Sequence, residues 1–501
     1  MTDIAQITDL DTLRQIARLQ AVENERLHRR LVELTEKLAK LEGKQPTEQL
    51  QLELTALKEQ VANQQRKLFG KSSERRRRKT RGDKPTKKRT KFGYRLQPKL
   101  PVEVAEHSLP ADEQDCESCG GKLEPTGAHV DAGEEITVVE REYKLVKRQR
   151  RVYRCECPGE PVVAPKPPKL LPRGRYSLGF ALSVAIDKYL HHLPLARQVR
   201  AMRMHGLIID TQTLWDQLDA LAEHLRPSYE LLREFIMGAD IIGADETWWR
   251  VMTKSSSKKW WVWAITTHDA VYYRVDERRS SEAAKACLNG YTGKVMCDAY
   301  AAYRTLARAT PDLVLVHCWS HVRRKFIEAH AAYPDECDEV LDLIDELFLI
   351  ERSAPPPERL DGQAKLDALA KCAELRDARS RAITDQILEW AQKQVALPQS
   401  SLAKATRYML NQWEPLLRFL EDPMVPIHNN HTEQELRNWV LGRKNHYGSR
   451  SRRGTEVAAI FYTLLETAKL CGVNPRDYIR IAAEAAICEP GRATLPHQLA
   501  C

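Results

Sequence analysis

The chain has 501 residues, 43% hydrophobic and 29% charged, with a formal net charge of +9. At roughly 150 residues per domain that length suggests about three domains, and the composition excludes a collagenous, wholly disordered or multi-span membrane protein. No uncharged apolar run approaches the roughly 18 residues a membrane helix needs, and the opening MTDIAQITDLDTL is acidic and polar, so the expected location is the cytoplasm.

Residues 1–69 begin with a heptad stripe. Leu10, Ala17, Asn24, Leu31 and Leu38 fall at a positions, and Leu13, Gln20, Leu27, Leu34 and Leu41 at d positions. Gly43 and Pro46 interrupt the seam, and Leu50, Leu54, Leu57, Val61 and Leu68 resume it in a shifted register. Asn24 at an a position is a register device of two-stranded coils. The narrow stripe favours a coiled-coil dimerisation helix, hence a homodimer or higher oligomer, over packing on the chain's own core.

Residues 70–100 read as a basic linker. The window 66–99 holds sixteen Lys/Arg and two acids, a net +14 against −5 for the rest of the chain. A concentrated basic segment on an acidic body points to a polyanion, with DNA as the candidate partner. Arg75, Arg76, Arg77, Arg78, Lys87 and Lys88 are its candidate phosphate contacts. Such contacts give affinity and salt dependence without reading sequence. The competing reading is a solvated linker.

Residues 101–172 read as a small β-rich module with strands at Glu135–Glu140 and Tyr143–Tyr153, followed by a semi-rigid connector with six prolines from Pro158 to Pro172. Four cysteines cluster there: Cys116, Cys119, Cys155 and Cys157. Twelve cysteines in a cytosolic chain argue against a disulfide framework. Cys287, Cys297 and Cys318 lie in apolar runs and read as small buried hydrophobes.

Residues 173–238 are helical. The stretch LARQVRAMRMHGLIIDTQTLWDQLDAL predicts a helix, a turn at Gly206 and a second helix capped near Thr211 or Thr213. That resembles a helix-turn-helix DNA-binding unit. Two ordinary packed helices are the competing reading.

Residues 239–334 change character. Ile241–Ala244, Trp260–Thr266, Val271–Val275, Val295–Cys297 and Leu313–Val316 are apolar runs of strand length. His268-Asp269-Ala270 predicts a tight turn, and Ser281–Leu288 a helix between the third and fourth runs. A meander, a crossover helix and further strands make the chain multidomain α/β. Residues 335–425 form a helical block interrupted at SAPPPERLDG and LPQS. Residues 426–501 are helical around a basic loop, GRKNHYGSRSRRG, that holds Arg443 and Lys444.

Asp245 and Asp298 each follow an apolar run, and strand-end acids stand at a sheet's rim, where sites form. A lone strand-end Asp is more often a turn or cap; two are more informative. Glu433, near a helix start at about residue 431, is a candidate third acid. On spacing alone it reads more readily as a helix-dipole group or a partner of Arg437. Three clustered carboxylates repel unless a cation is present. Mg²⁺ prefers such oxygen ligands, and two ions about 4 Å apart suit phosphodiester displacement. His321, Arg323 and Arg324, and beyond them Arg443 and Lys444, are candidate DNA-phosphate contacts, or else solvated basic faces.

Seven stretches together resemble the large transposase of the bacterial insertion-sequence-sixty-six family. They are LFGKSSERR at 68–76, CESCGGKL at 116–123, ADETWW at 244–249, CDAYAAY at 297–303, HCWSHVRRKF at 317–326, HNNHTEQELRNWVLGRKN at 428–445 and LLETAKLCGVNPRDYI at 464–479. The resemblance implies an RNase H-like catalytic domain of DD-E type, with a first part at 239–334, a helical insertion at 335–425 and a final part at 426–501. It maps the catalytic, Mg²⁺-binding triad onto Asp245, Asp298 and Glu433. It also implies an N-terminal zipper, a zinc module with Cys116, Cys119, Cys155 and Cys157 as ligands to one structural Zn²⁺, DNA transposition, and two small accessory proteins as partners.

The chain departs from the resemblance twice. His428 stands where the family commonly has Asp, and Cys155-Glu156-Cys157 leaves one residue between cysteines where the family has two. His107 and His129 are alternative zinc ligands. The expected function is therefore a two-metal DNA transposase that cuts element ends and joins them to target DNA. The alternatives are a catalytically inactive, transposase-derived DNA-binding regulator and a structural zinc and coiled-coil protein.

Overall fold

The structure, a computed structural model, describes residues 141–153, 162–165, 169–252, 257–394, 396 and 398–500. The expected zipper of 1–69, the basic linker with Arg75 to Arg78, Lys87 and Lys88, the strand at Glu135–Glu140, and Cys116, Cys119, Cys155 and Cys157 lie outside the described residues. Of the expected strand Tyr143–Tyr153, only β1 (Val152–Tyr153) forms, antiparallel to β2 (Val162–Val163). The preceding residues are mostly basic and exposed, so they offer no apolar face for a sheet to bury.

Helices α1 (Leu178–Ala185), α2 (Leu195–Met204) and α3 (Thr211–Met237) lead into the sheet. Gly206 separates α2 from α3 in a left-handed conformation, φ +79°. The cap of α3 is Asp210, not Thr211 or Thr213: its carboxylate accepts the Thr213 N–H at 2.7 Å. An acid at that position also faces the positive end of the helix.

The meander predicted from the apolar runs is β3 (Ile241–Met252), β4 (Ser257–Thr266) and β5 (Val271–Asp276). The turn between β4 and β5 is closed by Thr267 N–H to the Ala270 carbonyl at 2.9 Å. Helix α4 (Ser281–Leu288), β6 (Gly293–Cys297), α5 (Ala301–Ala309) and β7 (Leu313–His317) follow. The five-stranded sheet has the order β5-β4-β3-β6-β7, with β3, β6 and β7 parallel. Strand β3 runs eight residues beyond the predicted Ala244, so Asp245 lies within a strand and not at its end. The apolar run stops at Ala244, but pairing with β4 continues through Met252↔Ser257.

Helices α6 (Trp319–Ala329), α7 (Pro334–Glu351), α8 (Gly362–Leu375), α9 (Arg381–Lys393), α10 (Ser401–Leu410) and α11 (Trp413–Leu417) come next. Those beyond α6 form the helical block expected at 335–425. With α6 they share a core that includes Trp319, Phe326, Ile344, Ile387, Trp390, Met409 and Phe419. Buried Arg376, in the π-helical segment Arg376–Ser380 that joins α8 to α9, holds this helical block to the chain that follows it. Its guanidinium pairs with Glu351 at 2.7 and 2.9 Å and donates to the carbonyls of Asp422 and Val425 at 2.8 and 2.9 Å.

Three helices complete the chain: α12 (Asn430–His446), α13 (Arg452–Leu470) and α14 (Pro475–Cys488). Arg443 and Lys444 therefore lie on a helix. The basic loop is shortened to residues 447–451, because Gly442–His446 continue the turns of α12. The α13 segment from Val457 to Ala468 is buried on all sides, as befits an internal helix. It covers the sheet's edge at β5. Thr467 Oγ1 accepts from Val271 N–H and donates to the Val271 carbonyl, both at 3.1 Å, and Thr463 Oγ1 accepts from Tyr273 N–H at 3.0 Å. An edge strand needs such partners for its outward-facing backbone groups. Among the described residues no helix is long and apolar enough to cross a membrane.

Candidate active site

The two-residue period of a strand sorts β3 into two faces. Trp249 packs edge-on against Trp439 of α12, ring centroids 4.9 Å apart. Gly243 shares that face, and a Cβ there would strike Thr432 Oγ1, Thr266 Oγ1 and Asn429 Oδ1. Only glycine lets the start of α12 come this close. Asp245 has the same parity and faces the same way. Glu246 faces the other way, toward α5, where Tyr303 OH donates to its Oε2 at 2.8 Å.

The register then positions two carboxylates. The parallel ladder of β3 and β6 ends at Gly243↔Met296. Two residues past that pair stand Asp245, still within β3, and Asp298, the first residue after β6, whose charge reaches Asp245. Asp298 leaves the end of β6 in a tight turn, its Oδ1 accepting the Tyr300 N–H at 2.9 Å. Asp245 Oδ1 accepts the Glu246 N–H at 2.8 Å.

Glu433 arrives in the first turn of α12, and the chain just before it is tied to both neighbouring elements. Asn429 Nδ2 donates to the Ala244 carbonyl at 2.9 Å, and Asn429 N–H to Cys318 Sγ at 3.2 Å. Trp319 N–H donates to the Ile427 carbonyl at 3.1 Å, and Thr432 Oγ1 bonds Thr266 Oγ1 at 2.7 Å. Glu433 is met by α6: Arg324 lies 3.4 Å from Oε2 and His321 Nε2 3.6 Å from Oε1. Burial raises the Asp245 pKa well above the usual carboxylate range, and the charges of Glu246, Asp298 and Glu433 push it further. The structure thus brings Asp298 and Glu433 near enough to Asp245 for their charges to act on it.

Beneath these acids lies a network that the sequence reading missed. Arg279 donates to Glu246 Oε1 through Nε at 2.7 Å and through its second nitrogen. Its guanidinium lies 3.9 Å from the centroid of the Tyr300 ring, and Tyr300 OH donates to the Arg279 carbonyl at 2.8 Å. The Glu246 pKa is raised, first by burial and then by Asp298, against the opposing pull of Arg279. The pairing of Glu246 with Arg279 thereby braces the Asp298 turn through Tyr300. No spacing marks Arg279 for this role, because the pairing spans the sheet.

The other predicted basic contacts have separate places. Arg323 pairs with Asp345 of α7 at 2.8 Å, joining α6 to the helical block. Arg443 is half-buried over the Trp248 ring, 3.6 Å from its centroid, and donates to the Trp248 carbonyl. Lys444 is exposed. His428, where the sequence departs from the resemblance, lies against Phe348 of α7 with ring centroids 5.9 Å apart, and burial lowers its pKa. Cys318, read as a small buried hydrophobe, is buried but polar in its contacts. Gly243 did carry a signal, since a glycine inside an apolar strand marks a close approach.

A mixed sheet with helices on both faces and acids gathered just past its parallel β3–β6 ladder defines an α/β protein with a carboxylate-centred candidate active site. The family described as "Transposase IS66 family" matches residues 173–457, and the chain belongs to it. It is therefore a transposase by family, and a transposase binds DNA. The chain is also similar to three uncharacterized proteins of Sinorhizobium fredii. It is 27% identical to y4hP over 393 residues, covering 73% of this chain and 69% of that protein. It is 28% identical to y4qI over 420 residues, covering 79% and 75%. It is 28% identical to y4jD over 391 residues, covering 74% of each.

Proposed function

We propose that this transposase cuts DNA at the ends of its insertion sequence and joins them to target DNA, using Asp245, Asp298 and Glu433 as a DD-E triad. The observation that carries the reading is that Asp298, just after β6, and Glu433, in the first turn of α12 and 188 residues from Asp245, both act on the Asp245 carboxyl of β3. The strand order, a meander followed by two parallel strands, supports an RNase H-like domain interrupted by the insertion at 335–425.

The donor set fits Mg²⁺: it is all carboxylate oxygen, and the burial and neighbouring negative charge that raise the Asp245 pKa are what a divalent cation would relieve. When bound, two such ions supply Lewis-acid activation of the attacking oxygen and stabilise the leaving one. Asp245 and Asp298 would hold them from the sheet, and Glu433 from α12. Arg324 and His321 orient Glu433, while Glu246 and Arg279 brace the Asp298 turn. Hydrolysis at the element end frees a 3′-hydroxyl, which then displaces at a target phosphodiester over the same acids. Outside the described residues, the zipper would pair protomers, Cys116, Cys119, Cys155 and Cys157 would hold a structural Zn²⁺, and Arg75 to Arg78, Lys87 and Lys88 would hold DNA.

Replacing Asp245 by Asn should abolish Mg²⁺-dependent cleavage of element-end DNA while leaving DNA binding intact. Wild-type cutting by Asp245→Asn would overturn the triad.

A further inference from the structure

Cys318 has a setting that an inert core cysteine does not need. It is the N-cap of α6, and His321 is the third residue of that helix, so their side chains project from the same turn. Glu433 faces them from the first turn of α12. A sulfur of Cys318, a ring nitrogen of His321 and a carboxylate oxygen of Glu433 all lie within 4.8 Å of one another. The His321 Nε2 to Glu433 Oε1 separation is 3.6 Å. Tetrahedral zinc, with bonds of about 2.0–2.3 Å, places its ligand atoms roughly 3.3–3.8 Å apart. One edge of such a site is therefore already the right length, and the others close by about 1.5 Å or less.

A second observation points the same way. Glu433 Oε1, the oxygen that faces His321 Nε2, is buried without a hydrogen-bond partner. A buried polar atom in that state calls for a missing partner. The backbone around it is already fixed, because Asn429 and Trp319 stitch the starts of α6 and α12 together.

We propose that Cys318, His321 and Glu433 form a binding site for a thiolate-seeking divalent cation of the Zn²⁺ class. One sulfur, one nitrogen and one oxygen ligand select such an ion over Mg²⁺, which takes oxygen ligands. Three protein ligands leave a fourth position for water. On binding, the Cys318 thiol releases its proton to solvent, and the thiolate lies at the positive end of α6. Occupancy draws Glu433 toward Cys318, so the site competes with the aspartates for that carboxylate. This last consequence rests on the triad reading; the site itself does not.

The test uses the full-length, metal-stripped chain titrated with Co²⁺, whose thiolate charge-transfer absorption reports sulfur ligation. Wild type is compared with Cys318→Ser and His321→Gln. Serine keeps an acceptor for the Asn429 N–H, and far-ultraviolet circular dichroism checks each fold. Because Cys116, Cys119, Cys155 and Cys157 also offer thiolates, the informative quantity is the difference between proteins. Each variant should bind one Co²⁺ fewer per chain than wild type, with the matching loss of absorption in Cys318→Ser. Unchanged stoichiometry and spectrum in whichever variant keeps the wild-type fold would overturn the proposal. Normal cutting by Asp245→Asn would overturn the triad instead and leave this count unaltered.

Discussion

Gly243 shows how far one side chain can govern this site. The start of α12 lies so close to β3 that a methyl group at Gly243 meets three polar oxygens at once. Gly243→Ala should cost about 1–3 kcal/mol through overpacking and displace Glu433 from the aspartates. Thermal denaturation and end cleavage measured side by side check both effects, and a variant that melts and cuts like wild type would contradict them. Asp245 and Asp298 were legible as acids after apolar runs, and Glu433 as an acid at a helix start. The partners of those acids were not. Glu246 reads as one more acid beside Asp245, and only the alternation of the strand sends it to the opposite face, against Tyr303 and Arg279.

At the level of elements, the strands β4 to β7 and helix α4 followed from apolar runs and punctuation, whereas the length of β3 did not. Beyond β6 the free edge of β3 is occupied by distant chain: Asn429 bonds the Ala244 carbonyl, and the loop at Ser449 exchanges bonds with Arg250 and Met252 at 3.0 and 2.8 Å. The opposite edge, at β5, depends on α13. Thr467→Val would leave both backbone groups of Val271 without that partner, at a cost of about 1–3 kcal/mol, readable as a lower denaturation midpoint. The β4–β5 turn is also clasped by the C-terminal segment, where His497 Nε2 lies 3.3 Å from Asp269 Oδ2. Burial alone would lower the His497 pKa, but bonding to Asp269 and Cys471 outweighs it and raises the value to about 9. For Asp269, burial is outweighed by bonds from His497 and Thr267, and the pKa falls to about 2. The histidine contribution is thus complete below its ordinary value near 6.5 and disappears as pH rises through about 9. The aspartate contribution is complete above 3.8 and disappears as pH falls toward about 2. His497→Ala should therefore lower the melting temperature at pH 6 and have little effect at pH 10. An equal deficit at both values would refute the clasp.

Across the whole molecule, Arg376 joins the helical block to the segment that delivers Glu433. Arg376→Ala strands Glu351 and frees the carbonyls near Val425, so a loss of about 3–5 kcal/mol is expected in chemical denaturation, with end cleavage falling further than stability alone accounts for. The basic segment belongs to the same scale. Replacing Arg75 to Arg78 by Gln should reduce the salt slope of DNA binding by about 3–4 if all four meet phosphate, and an unchanged slope would assign them to solvent. The sequence by itself determined the mixed α/β class of the fold and the helical block after its sheet, and it put forward the three candidate acids, because periodicity and composition are local properties that survive in one dimension. Only the tertiary structure decided that α12 crosses β3 at Gly243, that Arg443 covers Trp248, and that Cys318 and His321 meet Glu433. Those contacts join residues more than a hundred positions apart, and close packing, not local propensity, selects them.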